Sequence, residues 1–366
     1  MRLTKLRLHD YRNYEDLQIT LKNGIHILSG KNAQGKTNVL EAILYLSTTR
    51  SHRTACDEDL IKEGKEAFFI KAEIEKTNRK EELQISVNER GKNLFMYKNP
   101  VSKVSDFIGE FNAVMFCPDD MMLFNASPRV RRRFVDMELS KLSKTYVNTL
   151  FVAQKLLKER NRYLKQERVN KEYLDVVTMQ LIEATMVVMK QRHHFLKQLL
   201  TKCAQFYKRL SNDGTQIEVI YESCVPYTED EQLLRDRLTE KYEKSRERDL
   251  AMRVTSVGIH KEDFIFQING REVATYASQG QKRSILLALK VGMIYMIEDI
   301  IHDYPVLLLD DVFSELDMDR RKELLHSLPN EVQIFISTTD IEEFKHLDIH
   351  QPITIWSIAS GVMKQG

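Results

Sequence analysis

Residues 24–46 read GIHILSGKNAQGKTNVLEAILYL, an apolar strand-like run, a loop bearing two glycines, and a helix-like run. Gly30 through Thr37 fits the spacing G-x-x-x-x-G-K-T. Glycines there let the backbone turn its N–H groups toward an anion at a helix N-terminus. The candidate nucleotide-binding residues are therefore Gly30, Lys31, Asn32, Ala33, Gln34, Gly35, Lys36, Thr37 and Asn38. Lys36 offers a point charge to β- and γ-phosphates, and Thr37 a hydroxyl to Mg²⁺. A strand feeding such a loop belongs to a buried, mainly parallel sheet, which sets the fold class as α/β.

A phosphate loop of this kind needs an acid at the end of a second buried strand. YPVLLLDDVFSELD supplies it, because Val306 to Leu309 form a continuous apolar run that ends on Asp310 and Asp311. Asp310 is the candidate for holding Mg²⁺ together with Thr37, and Asp311 for orienting or deprotonating water. Lys36, Asp310 and Asp311 are thus the candidate catalytic groups. The bland alternative makes the two acids an N-cap for the following helix. Two adjacent carboxylates after four buried aliphatics are costly without a nearby cation. No guanine-reading NKxD stretch occurs, which favours ATP over GTP.

The 366 residues are enough for two or three domains, and with 42% hydrophobic and 30% charged residues the chain is neither disordered nor membrane-spanning in composition. No apolar run is long enough for a span and no signal-like block opens the chain, so no membrane contact and a cytoplasmic location are expected. The four cysteines lack metal or disulfide spacing and read as reduced thiols. The first 118 residues alternate with period two and carry turn signals. From Arg129 to Asp213 there is neither Gly nor Pro, and apolar residues recur every three or four positions, which predicts long helices reversing at KQERVNKE, Lys165 to Glu172. The expected organisation is a head from 1–118 and 205–366, with an inserted antiparallel helical arm at 119–204.

One further stretch, YASQGQKRS at 276–284, places Ser278, Gln279, Gly280 and Gln281 at the start of an apolar helix. Read alone it is a Ser N-cap with a flexible Gly. Together with the phosphate loop and the acidic strand end, it resembles the signature turn of ATP-binding-cassette ATPases of the SMC-like branch. LRLHDYRNY, FCPDD, SPRVRRRFVD, TSVGIHKED and QIFISTTD extend the resemblance over nearly the whole chain and narrow it to the RecF family. The resemblance implies an ABC-type ATPase head with a mixed sheet. It also implies that the signature faces ATP held by a second copy, in an ATP-dependent homodimer, and that Lys282 and Arg283 keep the turn electropositive. Ser314 to Asp317 resembles the D-loop, and Arg12 the nucleotide-contacting turn after the first strand.

The chain also departs from the wider pattern. Asp311 stands where Glu is usual, and Ser337, Thr338 and Thr339 stand where His is usual, so the identity of the base is open and slow turnover is expected. Residues 258–263 read GIHKED where the family commonly has GPHRDD, and His260 has a purely structural reading. Arg50, His52 and Arg53, and the run Arg129, Arg131, Arg132 and Arg133, are candidate contacts for duplex or gapped DNA, although charge runs are more often solvated faces. The implied function is ATP-gated DNA binding in recombinational repair at single-strand gaps and in replication restart, with RecR and RecO as partners and RecA loading as the outcome. The alternatives are a structural loader platform that ATP switches with little turnover, and a transporter-type ATPase subunit. The long insertion and the LRLHDYRNY start argue against the transporter.

Overall fold

The computed structural model describes residues 1–211, 214–313, 316–344, 347 and 349–366. The chain forms two compact units, one of Met1–Asp120, Lys202–Gly214 and Arg283–Gly366, the other of Met121–Thr201 and Thr215–Lys282.

The first unit holds two six-stranded sheets. One runs, edge to edge, Val362–Gln365, Ile353–Ala359, Ile25–Ser29, Ile334–Thr338, Val306–Asp310 and Ala113–Phe116. All neighbours are parallel except the terminal hairpin, so the sheet is mixed. The central strands Ile334–Thr338 and Val306–Asp310 are buried at every position, in keeping with the apolar runs Ile334 to Ile336 and Val306 to Leu309 that they carry. Helix Lys36–Thr48 lies against these strands and buries almost its whole length. The second sheet is antiparallel, and its long strands Arg2–Tyr11, Ala67–Glu75 and Lys80–Asn88 bury alternate residues.

The second unit contains helices Pro128–Leu142, Lys144–Leu164 and Glu231–Met252, most of the 40-residue helix Lys171–Leu210, and a three-stranded antiparallel sheet. Lys144–Leu164 and Lys171–Leu210 are antiparallel: Ser143 bonds Gln191, Arg160 bonds Thr178, and Tyr163 meets Tyr173. The break between them falls at 165–170, inside the polar stretch that predicted it.

The boundary of this unit differs from the expectation that residues 205–366 all join the head. Residues 215–282 group with the helices, and a set of charge pairs between segments far apart in sequence is the reason. Arg131 grips Asp263 with two bonds of 2.7 and 2.6 Å. Arg160 reaches the fully buried Asp249 at 2.7 Å, and Arg192 bridges Glu262 at 2.6 Å and Asp136 at 2.7 Å. These pairs absorb TSVGIHKED: Thr255 accepts from Arg160, Ser256 donates to Asp249, and the ring of His260 bonds the Thr255 carbonyl at 3.0 Å. His260 is thus structural in the unit, and burial lowers its pKa. Gly258 is needed at φ 125°, where an added Cβ would lie 2.7 Å from the Tyr242 hydroxyl.

No helix among the described residues is long and apolar enough to cross a membrane. The four cysteines are unpaired, with Cys117 and Cys203 buried and Cys56 exposed.

A candidate nucleotide site

The phosphate loop leaves the buried strand Ile25–Ser29 and enters the helix at Lys36. Its two glycines are sterically required. A Cβ on Gly30 would sit 2.3 Å from the Ile358 carbonyl oxygen, and Gly35 adopts φ 115° with Asn13 and Tyr14 side chains within 3 Å of the position a Cβ would take. Asn13 Nδ2 donates to the Gln34 carbonyl at 2.9 Å, Tyr14 donates to the Gly35 carbonyl at 3.0 Å, and Asn38 donates to Asn13 Oδ1 at 2.8 Å. From the other side the C-terminal hairpin holds the loop, Ser360 N donating to Gln34 Oε1 at 2.7 Å. The cradle is therefore fixed by both sheets of the unit. Lys31, Asn32 and Ala33 are exposed at its rim, Ala33 with φ 64°.

Lys36 is 4% exposed, and its ammonium bonds the Gly30 carbonyl at 2.7 Å and the Lys31 carbonyl at 3.2 Å. Thr37 Oγ1 donates to Asp310 Oδ1 at 2.9 Å, and Ser337 Oγ donates to the same oxygen at 2.8 Å. Asp310 therefore sits where two hydroxyls converge on one buried carboxylate. Burial raises its pKa, the hydroxyl bonds of Ser337 and Thr37 oppose the rise, and the neighbouring Asp311 adds to it. Such a carboxylate beside a Thr hydroxyl is the donor set of a hard divalent cation, so the residues fit Mg²⁺. Asp311 has φ 51°, and its N–H is held by Ser337 Oγ at 2.8 Å. The serine standing where an imidazole is usual thus fixes both acids.

Arg12 turns out to be anchored. Its guanidinium forks onto Glu41 with two 2.9 Å bonds and donates to the Asp59 carbonyl at 3.0 Å. Glu41 is fully buried and also accepts from Ser51. Burial alone would raise its pKa, but the bonds from Arg12 and Ser51 hold it below the ordinary carboxylate range. Sequence reasoning passed over Glu41, because a Glu within LEAILYL reads as one more polar helix position. The nearby Arg12 is the signal that points to it.

The turn read from sequence as a signature, Ser278 to Gln281, lies in the other unit. Ser278 and Gln281 form a reciprocal capping box, Gln281 N donating to Ser278 Oγ at 3.2 Å and Ser278 N donating to Gln281 Oε1 at 2.9 Å. Gln279 opens helix Gln279–Ile301, with Gly280 in its first turn. Lys282 corrects the expected electropositive turn, since it is 6% exposed and its ammonium points inward to Ala274 and Asn125. Of the D-loop stretch, Ser314 and Glu315 lie outside the described residues. Asp317 caps helix Met318–His326 through Arg320 N at 2.9 Å.

The basic run also divides. Arg131 and Arg132 are bonded within their unit, to Asp263 and to the Glu262 carbonyl, which withdraws them from the expected DNA contacts. Arg129 and Arg133 are exposed, as are Arg50 and Arg53 in the other unit.

Residues 2–362 match the family model for the RecF/RecN/SMC N-terminal domain. The DNA replication and repair protein RecF of Halalkalibacterium halodurans is 37% identical over 370 residues, covering 100% of both chains. That of Geobacillus kaustophilus is 39% identical over 367 residues, covering 99% of this chain and 98% of the relative. The chain belongs to the RecF family. Among solved structures it is similar to the recombination mediator protein RecF with ATP, of the RecFOR pathway, with a TM-score of 0.92 and 30% identity over 100% of this chain and 97% of that one. The Smc head of Pyrococcus furiosus, at TM-score 0.55 and 15% identity, shares the fold. The fold is thus an ABC-type ATPase head with a mixed sheet and a helical arm lobe, as the sequence resemblance implied.

Proposed function

We propose that the chain is a DNA replication and repair protein that binds ATP with Mg²⁺ and dimerises on ATP, closing on duplex DNA near single-strand gaps. The observation that carries the reading is the convergence of Thr37 and Ser337 on buried Asp310 beside a loop whose glycines admit no side chain. In this reading the backbone N–H groups of residues 30–37 and the Lys36 ammonium bind the β- and γ-phosphates, Lys36 exchanging its loop carbonyls for phosphate oxygens. Thr37 and Asp310 would hold Mg²⁺, which would supply charge neutralisation at the phosphates. Asp311, held by Ser337, orients the attacking water, and its short side chain is consistent with slow hydrolysis.

Ser278 to Gln281 of a second copy then meet the terminal phosphate, the capping box giving up its internal bonds to a better acceptor. ATP thereby favours the closed dimer by its differential affinity, and hydrolysis releases it. Arg50, Arg53, Arg129 and Arg133, all exposed, are the proposed contacts for DNA phosphates, and RecR and RecO are the proposed partners in loading RecA. Retention of a gapped duplex by the full chain tests the proposal. Binding is expected with ATP, not with ADP, to weaken steeply as salt rises, and to be lost in Lys36→Ala and Ser278→Arg. Equal retention with ATP and ADP would contradict it.

A further inference from the structure

The inward turn of Lys282 takes one expected cation away from the signature turn, and the hairpin just before it supplies another. Strands Asp263–Ile268 and Arg271–Glu272 pair through a two-residue turn, with Asn269 at φ 49° and Gly270 at φ 73°. Asn269 is itself fixed, its Oδ1 accepting from Gln216 N at 2.9 Å. The next turn of chain, Val273–Tyr276, is pinned by the fully buried Val273 and by the Lys282 ammonium, which donates to the Ala274 carbonyl at 2.7 Å. Lys282 thus joins this turn to the start of helix Gln279–Ile301. On that frame the Arg271 guanidinium lies over the ring of Tyr276, 5.5 Å from its centre. Tyr276 is 63% exposed, Arg271 is exposed, and Tyr276 stands two residues before the exposed Ser278.

A ring this exposed contributes little burial, but it holds the guanidinium in place, and a stacked guanidinium keeps its N–H edge for an anion. No carboxylate pairs with Arg271 among the described residues. Glu272, next in the strand, points to the opposite face, as successive strand residues do, and lines a groove with Arg131 and Asp263. The charge of Arg271 is therefore pre-placed and not neutralised at the edge of the signature turn. We propose that Arg271 contacts the terminal phosphate of ATP held by a second copy, and that Tyr276 is the residue that positions it. The inference rests on the reading that Ser278 to Gln281 meet the nucleotide of a second copy, and it names the cation of that surface. ATP offers the guanidinium a γ-phosphate that ADP lacks, so the contact adds to the preference of the closed dimer for ATP.

The test uses the full-length wild type, Arg271→Gln, Arg271→Lys, Tyr276→Ala and Tyr276→Phe. Sedimentation velocity follows dimerisation with ATP and Mg²⁺ over a range of chain and salt concentrations. Titration with fluorescent N-methylanthraniloyl ATP, at concentrations where the chain is monomeric, reads each copy's own site. Arg271→Gln is expected to need about tenfold more chain for half dimerisation, with nucleotide affinity within about twofold of wild type. Its dimer is also expected to depend less on salt. Arg271→Lys, which keeps the charge but not the fork, is expected to recover part of the loss. Tyr276→Ala is expected to weaken the dimer, and Tyr276→Phe, which keeps the ring, to behave as wild type. Retained nucleotide binding and an unchanged melting temperature show that each variant is folded. An Arg271→Gln chain that dimerises as wild type does, or that loses nucleotide affinity to the same extent as dimerisation, would overturn the assignment of Arg271 alone. A wild type that never dimerises with ATP would overturn the composite-site reading itself.

Discussion

Asp310 combines a functional gain with a structural cost. Folding raises its pKa through burial, so the ionised form works against the fold, and that cost is fully present once the pH exceeds the folded-state value. Asp310→Asn keeps an acceptor for Thr37 and Ser337 but removes the charge. We expect the nucleotide-free variant to melt no lower than wild type in thermal unfolding, and to lose the rise in Tm that Mg²⁺ and ATP give wild type. Glu41 has the opposite sign. Its folded pKa is lowered, so its stabilisation is complete above the unfolded value of about 4.3 and is lost as pH falls through the lower folded value. Glu41→Gln, which strips the half-buried Arg12 of its counter-charge, is expected to cost about 2 kcal/mol at neutral pH in urea unfolding, with the gap to wild type closing under acid. Asp310 was legible because an apolar strand that ends on an acid beside a phosphate loop has few other uses. Glu41 was not, because its meaning comes from Arg12 and Ser51, which periodicity does not bring together.

The elements that were legible have a local cause. The absence of Gly and Pro from 129 to 213 gives the long helices, and the polar stretch at 165–172 ends one of them. The allotment of residues 215–282 was not legible, because it depends on Arg131–Asp263, Arg160–Asp249 and Arg192–Glu262, pairs separated by 70 to 132 residues. A basic run looks the same in sequence whether its arginines face water or a carboxylate elsewhere in the chain. Arg192→Met leaves Glu262 buried without its cation, and is expected to destabilise the helical unit by about 4 kcal/mol in urea unfolding. At the signature helix, Ser278→Ala removes one arm of the capping box. It should cost about 1 kcal/mol, read as faster amide exchange at Gln281 with the rest of helix Gln279–Ile301 unchanged.

At the scale of the whole molecule, no single copy completes its own ATP site in the proposed dimer. The phosphate loop and acidic strand end belong to one unit and the signature turn to the other, and in the proposed dimer each copy's signature serves its partner's nucleotide. The turn at 276–284 reads as a signature only beside the phosphate loop, since a capped helix start is by itself commonplace. Sedimentation velocity of the full chain tests the claim most directly, with ATP, with ADP and without nucleotide, for wild type and Ser278→Arg. The wild type is expected to sediment as a 43.0 kDa monomer without nucleotide and with ADP, and to double in mass with ATP and Mg²⁺. Ser278→Arg is predicted to bind ATP yet remain monomeric. A wild type that stays monomeric with ATP bound, or a Ser278→Arg variant that dimerises as wild type does, would contradict it.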